Sequence, residues 1–395
     1  MAAARFTAPY SASFAAPGSW LGVLGGGQLG RMFCQSAQQL GYRVAVLDPD
    51  VDSPAGRAAD RHLVADHLDA VALDELAALC AAVTTEFENV PAEALERLAT
   101  RCFVAPSAAC VAIAQDRVAE KRFIESIDAV VAPWAAVDAA ADIDALPSSL
   151  FPGILKRARF GYDGKGQARV ADRDQARAAF EQFGRVPCVL EQRVALAHEI
   201  SVIAARGHDG ETVAYPAVGN VHRDGILAVS TLPAQDIAEA SIDEARAIAM
   251  RVAERLDYVG VLCVEFFITA DARLLVNEMA PRPHNSGHPT IEAAVSSQFE
   301  QQVRAMARLP LASAELVRPA VMLNLLGDLW FAAGGAQRDP DWRSVLQIEG
   351  AALHLYGKAE PRPGRKMGHL TCTGATLRAA REVAGQAASV LGLRL

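Results

Sequence analysis

The chain has 395 residues, a formal charge of −8, 51% hydrophobic and 21% charged residues, the profile of an ordinary globular protein with room for roughly two or three domains. The acidic balance argues against bulk attraction to nucleic acid or to an anionic membrane, while leaving room for a small basic pocket. Seven cysteines (Cys34, Cys80, Cys102, Cys110, Cys188, Cys263 and Cys372) form no C-x-x-C pair, which disfavours a disulfide framework or thiolate zinc site and fits a reducing cytoplasm. No apolar run approaches the ~18 residues that span a bilayer. Residues 1–19 are rich in Ala, Ser and Pro and carry one charge, Arg5. A transit peptide would usually carry several arginines, so a disordered extension is expected.

Order is expected from Trp20. Leu21–Leu24 reads as a short apolar strand, followed by the turn Gly25-Gly26-Gly27-Gln28-Leu29-Gly30 and a helical pattern stopped by Gly41. Val44–Leu47 is the next strand, ending in Asp48. Val83–Phe87 is a later one, with Pro91 opening a helix. Strands alternating with helices imply a parallel, doubly wound sheet, whose ligands lie beyond the carboxyl ends of the strands. That places Gln28, Asp48 and Glu86 or Glu88 beside one crevice. From about Asp116 an α+β region on an antiparallel sheet is expected. It holds a hairpin, Ile154–Arg157 and Gln167–Val170, with a glycine-dense tip at 161–166. Helices are predicted near Asp174–Phe183 and Asp243–Leu256, and a short surface helix or a linker at Ala135–Ala145. A smaller β-rich region begins near Val317.

Gly25-x-Gly27-x-x-Gly30 with Asp48 eighteen positions later has the form of a dinucleotide fingerprint. Physically it means that an anion can sit on bare amides at a helix N-terminus, or that the turn binds nothing. The 161–166 tip is no P-loop, because Gly166 follows Lys165 where Ser or Thr would stand. It suits a lid over phosphates, with Lys156 on the entering strand, or a plain solvent hairpin. Cys263–Ile268 and Arg273–Glu278 read as a second hairpin. A two-residue turn at Asp271-Ala272 places Glu265 opposite Glu278. Like charges in that position call for a cation, and two hard carboxylates beside phosphates suit Mg²⁺; the alternative is that they are exposed and splay apart. Alternation sends Asn277 to the other face, unless it joins from the strand end. The loop Pro281–His288 is stiff and polar and fits a small anion or a surface turn. Zinc ligation by His284 and His288 is disfavoured by Pro283 and Gly287, which break the helix it would need.

Over residues 20–375 the chain resembles the 5-(carboxyamino)imidazole ribonucleotide synthetases, which are ATP-grasp ligases. The matching segments are GGGQLGRM (25–32), TTEFENVP (84–91), QDRVAEKRF (115–123), GYDGKGQ (161–167), LEQRV (190–194), HEISV (198–202), VHRDGIL (221–227), YVGVLCVEFF (258–267), VNEMAPRPHNSGH (276–288), QFE (298–300) and YGKAEPRPGRKMGHL (356–370). The resemblance implies a Rossmann-like pre-ATP-grasp domain over 20–115, an ATP-grasp domain over 116–316 and a small C-terminal β-rich domain over 317–395. ATP would be gripped between two antiparallel sheets. Arg117 and Lys156 would contact phosphates under the loop Gly161, Gly164, Gly166 and Gln167. Glu191, Gln192 and Val194 would form the adenine hinge, Glu199 would take the ribose hydroxyls, and His222 and Asn277 would join the nucleotide site. Glu265 and Glu278 would hold Mg²⁺. The ribonucleotide would meet Gln28, Leu29, Glu86 or Glu88, Tyr162, Asp163, Lys165, Asn285, Lys358 and Arg365, with Lys366 near its 5′-phosphate. This reassigns the Gly25–Gly30 turn from a dinucleotide to a ribonucleotide. Lys165 stands where many relatives carry Arg, which keeps the charge and loses the bidentate fork. Arg282 and His284 would hold bicarbonate, and Asp163 would orient or deprotonate the substrate amine. A homodimer in the cytoplasm, passing its product to a separate mutase, is expected. The rivals are an NAD-dependent oxidoreductase, a silent nucleotide-binding scaffold, and a sibling ATP-grasp ligase for another acid.

Overall fold

The computed structural model describes residues 14–161, 166–332 and 335–394. Five parallel strands open the chain: β1 (Trp20–Leu24), β2 (Arg43–Leu47), β3 (Arg61–Leu63), β4 (Ala82–Thr85) and β5 (Phe103–Val104), in the order β3-β2-β1-β4-β5. Burial on both faces explains their uninterrupted apolar runs. Leu21 and Val23 meet Leu29 and Phe33 of the helix Gln28–Gln39 on one face. Leu24 and Leu47 meet Leu73, Leu76, Leu95 and Leu98 of the helices Ala70–Leu79 and Ala92–Ala99 on the other. The extension is not disordered to residue 19. Ala15 donates its N–H to Ala307 O (2.9 Å) and accepts from the Tyr42 hydroxyl (2.7 Å), and Gly18 N–H bonds Gly41 O (2.7 Å). These bonds tie residues 14–19 down before the first strand begins.

A four-stranded antiparallel sheet follows: β6 (Trp134–Val137), β7 (Gly153–Arg157), β8 (Gln167–Val170) and β9 (Cys188–Gln192), ordered β6-β9-β7-β8. One face is closed by the helices Ala140–Ala145 and Arg173–Gln182 through Ile143, Leu155, Phe180 and Leu190. Asp172 starts the second helix by accepting from Gln175 N–H (2.9 Å), a side-chain N-cap.

The third sheet has nine strands: β10 (Leu196–Arg206), β11 (Thr212–Ala214), β12 (Val218–Arg223), β13 (Ile226–Leu232), β14 (Gly260–Thr269), β15 (Leu274–Ala280), β16 (Ala320–Leu326), β17 (Ala351–Leu355) and β18 (Lys366–Thr373). Its path is β15-β14-β10-β12-β13-β16-β18-β17, with β11 on β10. The pairing of β13 with β16 means that the C-terminal β-rich region extends the central sheet rather than building its own. Period-2 alternation divides the faces. Ile200, Val202, Val264 and Phe266 enter the core beneath the helix Glu239–Arg255. Glu199, Ser201 and Glu265 therefore stand on the opposite face. The helix Gln298–Ala307 joins this sheet to the first: Phe299, Val303 and Met306 pack with Leu29 and Phe33, and Gln302 accepts from Val261 N–H (2.6 Å) while donating to Thr84 Oγ1 (3.0 Å).

Candidate active site

The Gly25–Gly30 turn already holds anions, and they belong to the protein. Glu86, at the carboxyl end of β4, accepts from Gly27 N–H (2.9 Å) and Gly30 N–H (3.2 Å). Asp48, at the end of β2, accepts from Gly26 N–H (2.7 Å). The glycines are required by this closeness: a Cβ on Gly27 would lie 2.6 Å from Glu86 Oε1, and one on Gly26 2.4 Å from Ser53 Cβ. Burial pushes the Glu86 carboxyl above its ordinary range. A pyrophosphate at this helix N-terminus would have to displace a carboxylate, which removes the physical basis of the dinucleotide reading. Gln28 opens the helix. Leu29 follows it, its side chain buried against Phe33 and the first sheet.

The glutamate hairpin forms, by a different turn from the expected one. Thr269 and Arg273 close a three-residue loop in which Ala272 takes a left-handed φ of +62°. This shifts the ladder by one residue. A bulge in β15 at Asn277 shifts it back, so that Phe266 pairs with Val276 and Glu265 with Glu278. The bulge also corrects the alternation argument. Asn277 lies beside the acidic pair, its Nδ2 3.4 Å from Glu265 Oε2, and its Oδ1 is a buried acceptor lacking a protein partner. Burial, and then Glu278 opposite, push the Glu265 carboxyl up. Burial would raise Glu278 as well, but Arg117 (2.8 Å) and Lys156 hold it down. Two facing carboxylates and an unsatisfied amide oxygen are a donor set that fits a hard divalent cation.

Lys156 of β7 bonds Glu191 of β9 (2.8 Å), and Lys121 of the helix Arg117–Ser126 reaches the other oxygen (3.1 Å). The Glu191 side chain is thus buried between two lysines rather than aimed at a base. Burial alone would raise its carboxyl, yet Lys156 and Lys121 hold it at about 2. The same helix supplies Glu120, which accepts from Met279 N–H (2.6 Å) and is pushed up to about 8 by burial and by Glu278. Glu120 and Lys121 escaped sequence reasoning. The available signal was charged residues at i, i+3 and i+4 from Arg117 on the side of the helix that buries Ile124. Gln192 ends β9, Val194 is half-buried just beyond it, and Gln167 is exposed opposite Lys156. Gly166 has a φ of +73°, and Gly161 lies just before the hairpin tip. Tyr162, Asp163, Gly164 and Lys165 lie outside the described residues. Glu199 bonds His222 Nδ1 (2.8 Å). Burial works to lower His222, but the bond to Glu199 and the nearby Glu265 leave it raised.

The loop after β15 splits its residues. Arg282 is ion-paired with Glu88, and its nearness outweighs burial to keep Glu88 low. Glu86 and Glu88 thus have separate duties, one on the glycine turn and one on Arg282. His284 Nε2 lies 3.2 Å from Glu265 Oε1, and burial and then Arg282 keep the ring well below its ordinary pKa, hence neutral. Asn285 is buried with neither amide atom partnered by protein. His288 lies tilted against His369, ring centroids 4.6 Å apart, with its Nδ1 3.2 Å from Gln298 Nε2. Lys358 donates to Lys366 O (2.7 Å), and Arg365 to Glu360 O (2.8 Å) on the same loop. Gly357, beside Lys358, lies against Arg31 of the helix that follows the glycine turn. The loop that carries Lys358 thereby meets the first domain at Gly357, whose carbonyl also accepts from Arg57 Nη1 (3.4 Å).

Two antiparallel sheets approach each other here, one carrying Lys156 and the other the acidic pair. That arrangement defines the ATP-grasp ligases, and the ATP-grasp domain profile matches residues 122–299. The ribonucleotide synthetase preATP-grasp domain matches 19–115, and the phosphoribosylaminoimidazole carboxylase C-terminal domain matches 320–383. The N5-carboxyaminoimidazole ribonucleotide synthase of Brucella melitensis is 45% identical over 90% of this chain and 96% of its own length. That of Bacillus subtilis is 40% identical over 90% and 91%. Among solved structures, the Aspergillus clavatus enzyme in complex with ADP and 5-aminoimidazole ribonucleotide superposes with a TM-score of 0.85 at 32% identity, covering 95% of this chain and 99% of that one. The chain belongs to the N5-carboxyaminoimidazole ribonucleotide synthase family.

Proposed function

We propose that the chain carboxylates the exocyclic amine of 5-aminoimidazole ribonucleotide with ATP and bicarbonate, in purine synthesis. The observation that carries this reading is the juxtaposition of Lys156 with the Glu265–Glu278 pair across the two sheets. Bicarbonate attacks the γ-phosphoryl of ATP, giving carboxyphosphate and ADP. The substrate amine then attacks the carboxyl carbon of carboxyphosphate, expelling phosphate and losing a proton; or carboxyphosphate first breaks down to phosphate and CO₂, and the amine adds to that CO₂ and loses a proton. Such chemistry needs positioning and charge neutralisation more than covalent help. Mg²⁺, held by Glu265 and Glu278, would supply charge neutralisation at the phosphates. Lys156 and Arg117 would bind the phosphates under the glycine loop. The chain at Glu191, Gln192 and Val194 would contact adenine, with Glu191 acting through its backbone because its side chain is engaged with two lysines. Glu199 and His222 would flank the ribose, and Arg282 and His284 the bicarbonate.

Gln28, Glu86, Asn285, Lys358 and Arg365 would receive the ribonucleotide, and Asp163 with Tyr162 and Lys165 would attend its amine. Domains over 20–115, 116–316 and 317–395 divide this work. A cytoplasmic homodimer that hands its product to a mutase fits the seven buried free thiols and the chemistry of the product. The test is ADP release from MgATP and bicarbonate with and without the ribonucleotide. Strong stimulation with one carboxylated product per ADP is expected. Hydrolysis indifferent to the ribonucleotide would overturn the substrate assignment and leave an ATP-grasp ligase for another acid.

A further inference from the structure

Behind His284 runs a row of buried polar side chains on the site face of the third sheet. Ser286 Oγ lies 2.8 Å from His284 Nδ1, and Ser201 Oγ of β10 lies 2.7 Å from Ser286 Oγ. Asn220 of β12 donates its amide to Ser201 Oγ (2.9 Å), and Ser230 of β13 donates its hydroxyl to Asn220 Oδ1 (2.8 Å). Ser201, Ser230 and Ser286 are fully buried, and Asn220 nearly so. Each serine has one proton to give, so the amide of Asn220 sets a single direction for the whole row. Its NH₂ end faces Ser201 and leaves the Ser201 proton for Ser286, whose own proton is then left for His284 Nδ1. The backbone N–H of Ser286 also points at that nitrogen, but at 3.4 Å it is too long to hold the tautomer by itself. That direction would place the ring proton on Nε2, the atom facing Glu265.

We propose that Ser286, Ser201, Asn220 and Ser230 are positioning residues that lock His284 as its Nε2–H tautomer, so that the ring presents a hydrogen-bond donor to the oxygens gathered in the site. Apolar side chains would satisfy the strands without polar desolvation. A buried polar row is tolerated only when every member is paired, which makes it stiff and directional. A ring held the other way would turn a lone pair toward a carboxylate. The inference deepens the carboxylase reading only in what His284 meets; the row exists whichever acid is activated.

Asn220→Asp tests the direction. Aspartate has no N–H to give, so Ser201 must donate to it, Ser286 to Ser201, and His284 must donate from Nδ1. With ¹⁵N-labelled histidine, and the His284 signals assigned by their loss in His284→Gln, the shifts of its two ring nitrogens should exchange in Asn220→Asp. Ser286→Ala, which removes the hydroxyl at the ring, should give a mixture, and Ser201→Thr, which keeps a hydroxyl, should restore the Nε2–H pattern. In turnover, kcat/KM for bicarbonate should fall roughly 10- to 100-fold in Asn220→Asp while KM for ATP holds, the scale of losses from removing outer partners of site ligands. An unchanged tautomer in a folded Asn220→Asp overturns the proposal. If that variant does not fold, an unchanged Nε2–H pattern in Ser286→Ala overturns it. A tautomer switch in an enzyme indifferent to the ribonucleotide would keep the inference and overturn the function instead.

Discussion

The molecule contains two places where carboxylates meet groups that bind anions, and it uses them in opposite ways. At the Gly25–Gly30 turn, Glu86 and Asp48 fill the amides, so that a motif shaped for phosphate is closed by the chain itself. At the second and third sheets, Glu191 draws Lys156 and Lys121 into a buried triad, while Glu278 takes Arg117 and faces Glu265. The first arrangement is neutralised by hydrogen bonds to backbone. The second leaves like charges opposed and cations converging, a site that is completed by something added. The contrast teaches that glycine spacing reports backbone closeness, whereas the sign and surplus of the surrounding side chains report a ligand.

That contrast can be broken most strongly at Glu191. Glu191→Gln leaves two buried lysines with no carboxylate between them, and should lower unfolding free energy by about 3–5 kcal/mol in urea titration. Lys156→Met keeps the Glu191–Lys121 pair, so the fold should survive while kcat in the ADP-release assay falls ~10²–10³-fold, as for loss of one charge-stabilising donor. Glu86→Gln keeps one acceptor for the amides and loses the other. It should cost about 1–2 kcal/mol and should not create NADH binding by fluorescence quenching. Acquired NADH affinity would mean that the carboxylate alone had been masking a dinucleotide site.

The remaining effects are read in pH. Glu191 is held at about 2, below its ordinary 4.5, so its stabilisation is present above that ordinary value and is lost as pH falls from about 4.5 toward 2. Glu120 runs the other way. Its carboxyl is raised to about 8, so its contribution is full below about 4.5 and is lost as pH rises toward 8. Urea midpoints measured across pH should show Glu120→Gln flattening the alkaline arm alone.

Much of this was legible in the residues. Strand and helix alternation disclosed the parallel sheet, and the apolar flanks of Glu265 and Glu278 disclosed the hairpin and its facing acids. The route to that register was not legible. A three-residue loop with Ala272 in a left-handed conformation and a bulge at Asn277 cancel one another, and the bulge returns Asn277 to the site. Leu29 sits in the sequence motif but in the core of the fold, and nothing in the sequence pairs Arg282, assigned to bicarbonate, with Glu88.

The sequence by itself determined the elements, the order of the three parts and the candidate charges, because periodicity, turn residues and motif spacing act over a few residues. The tertiary structure decided which charge meets which. Gly27 finds Glu86 59 positions away, Lys156 finds Glu191 35 away, and Arg117 finds Glu278 161 away. Those pairings follow from how sheets stack and strands slide, and a buried charge takes whichever partner the stacking brings within reach.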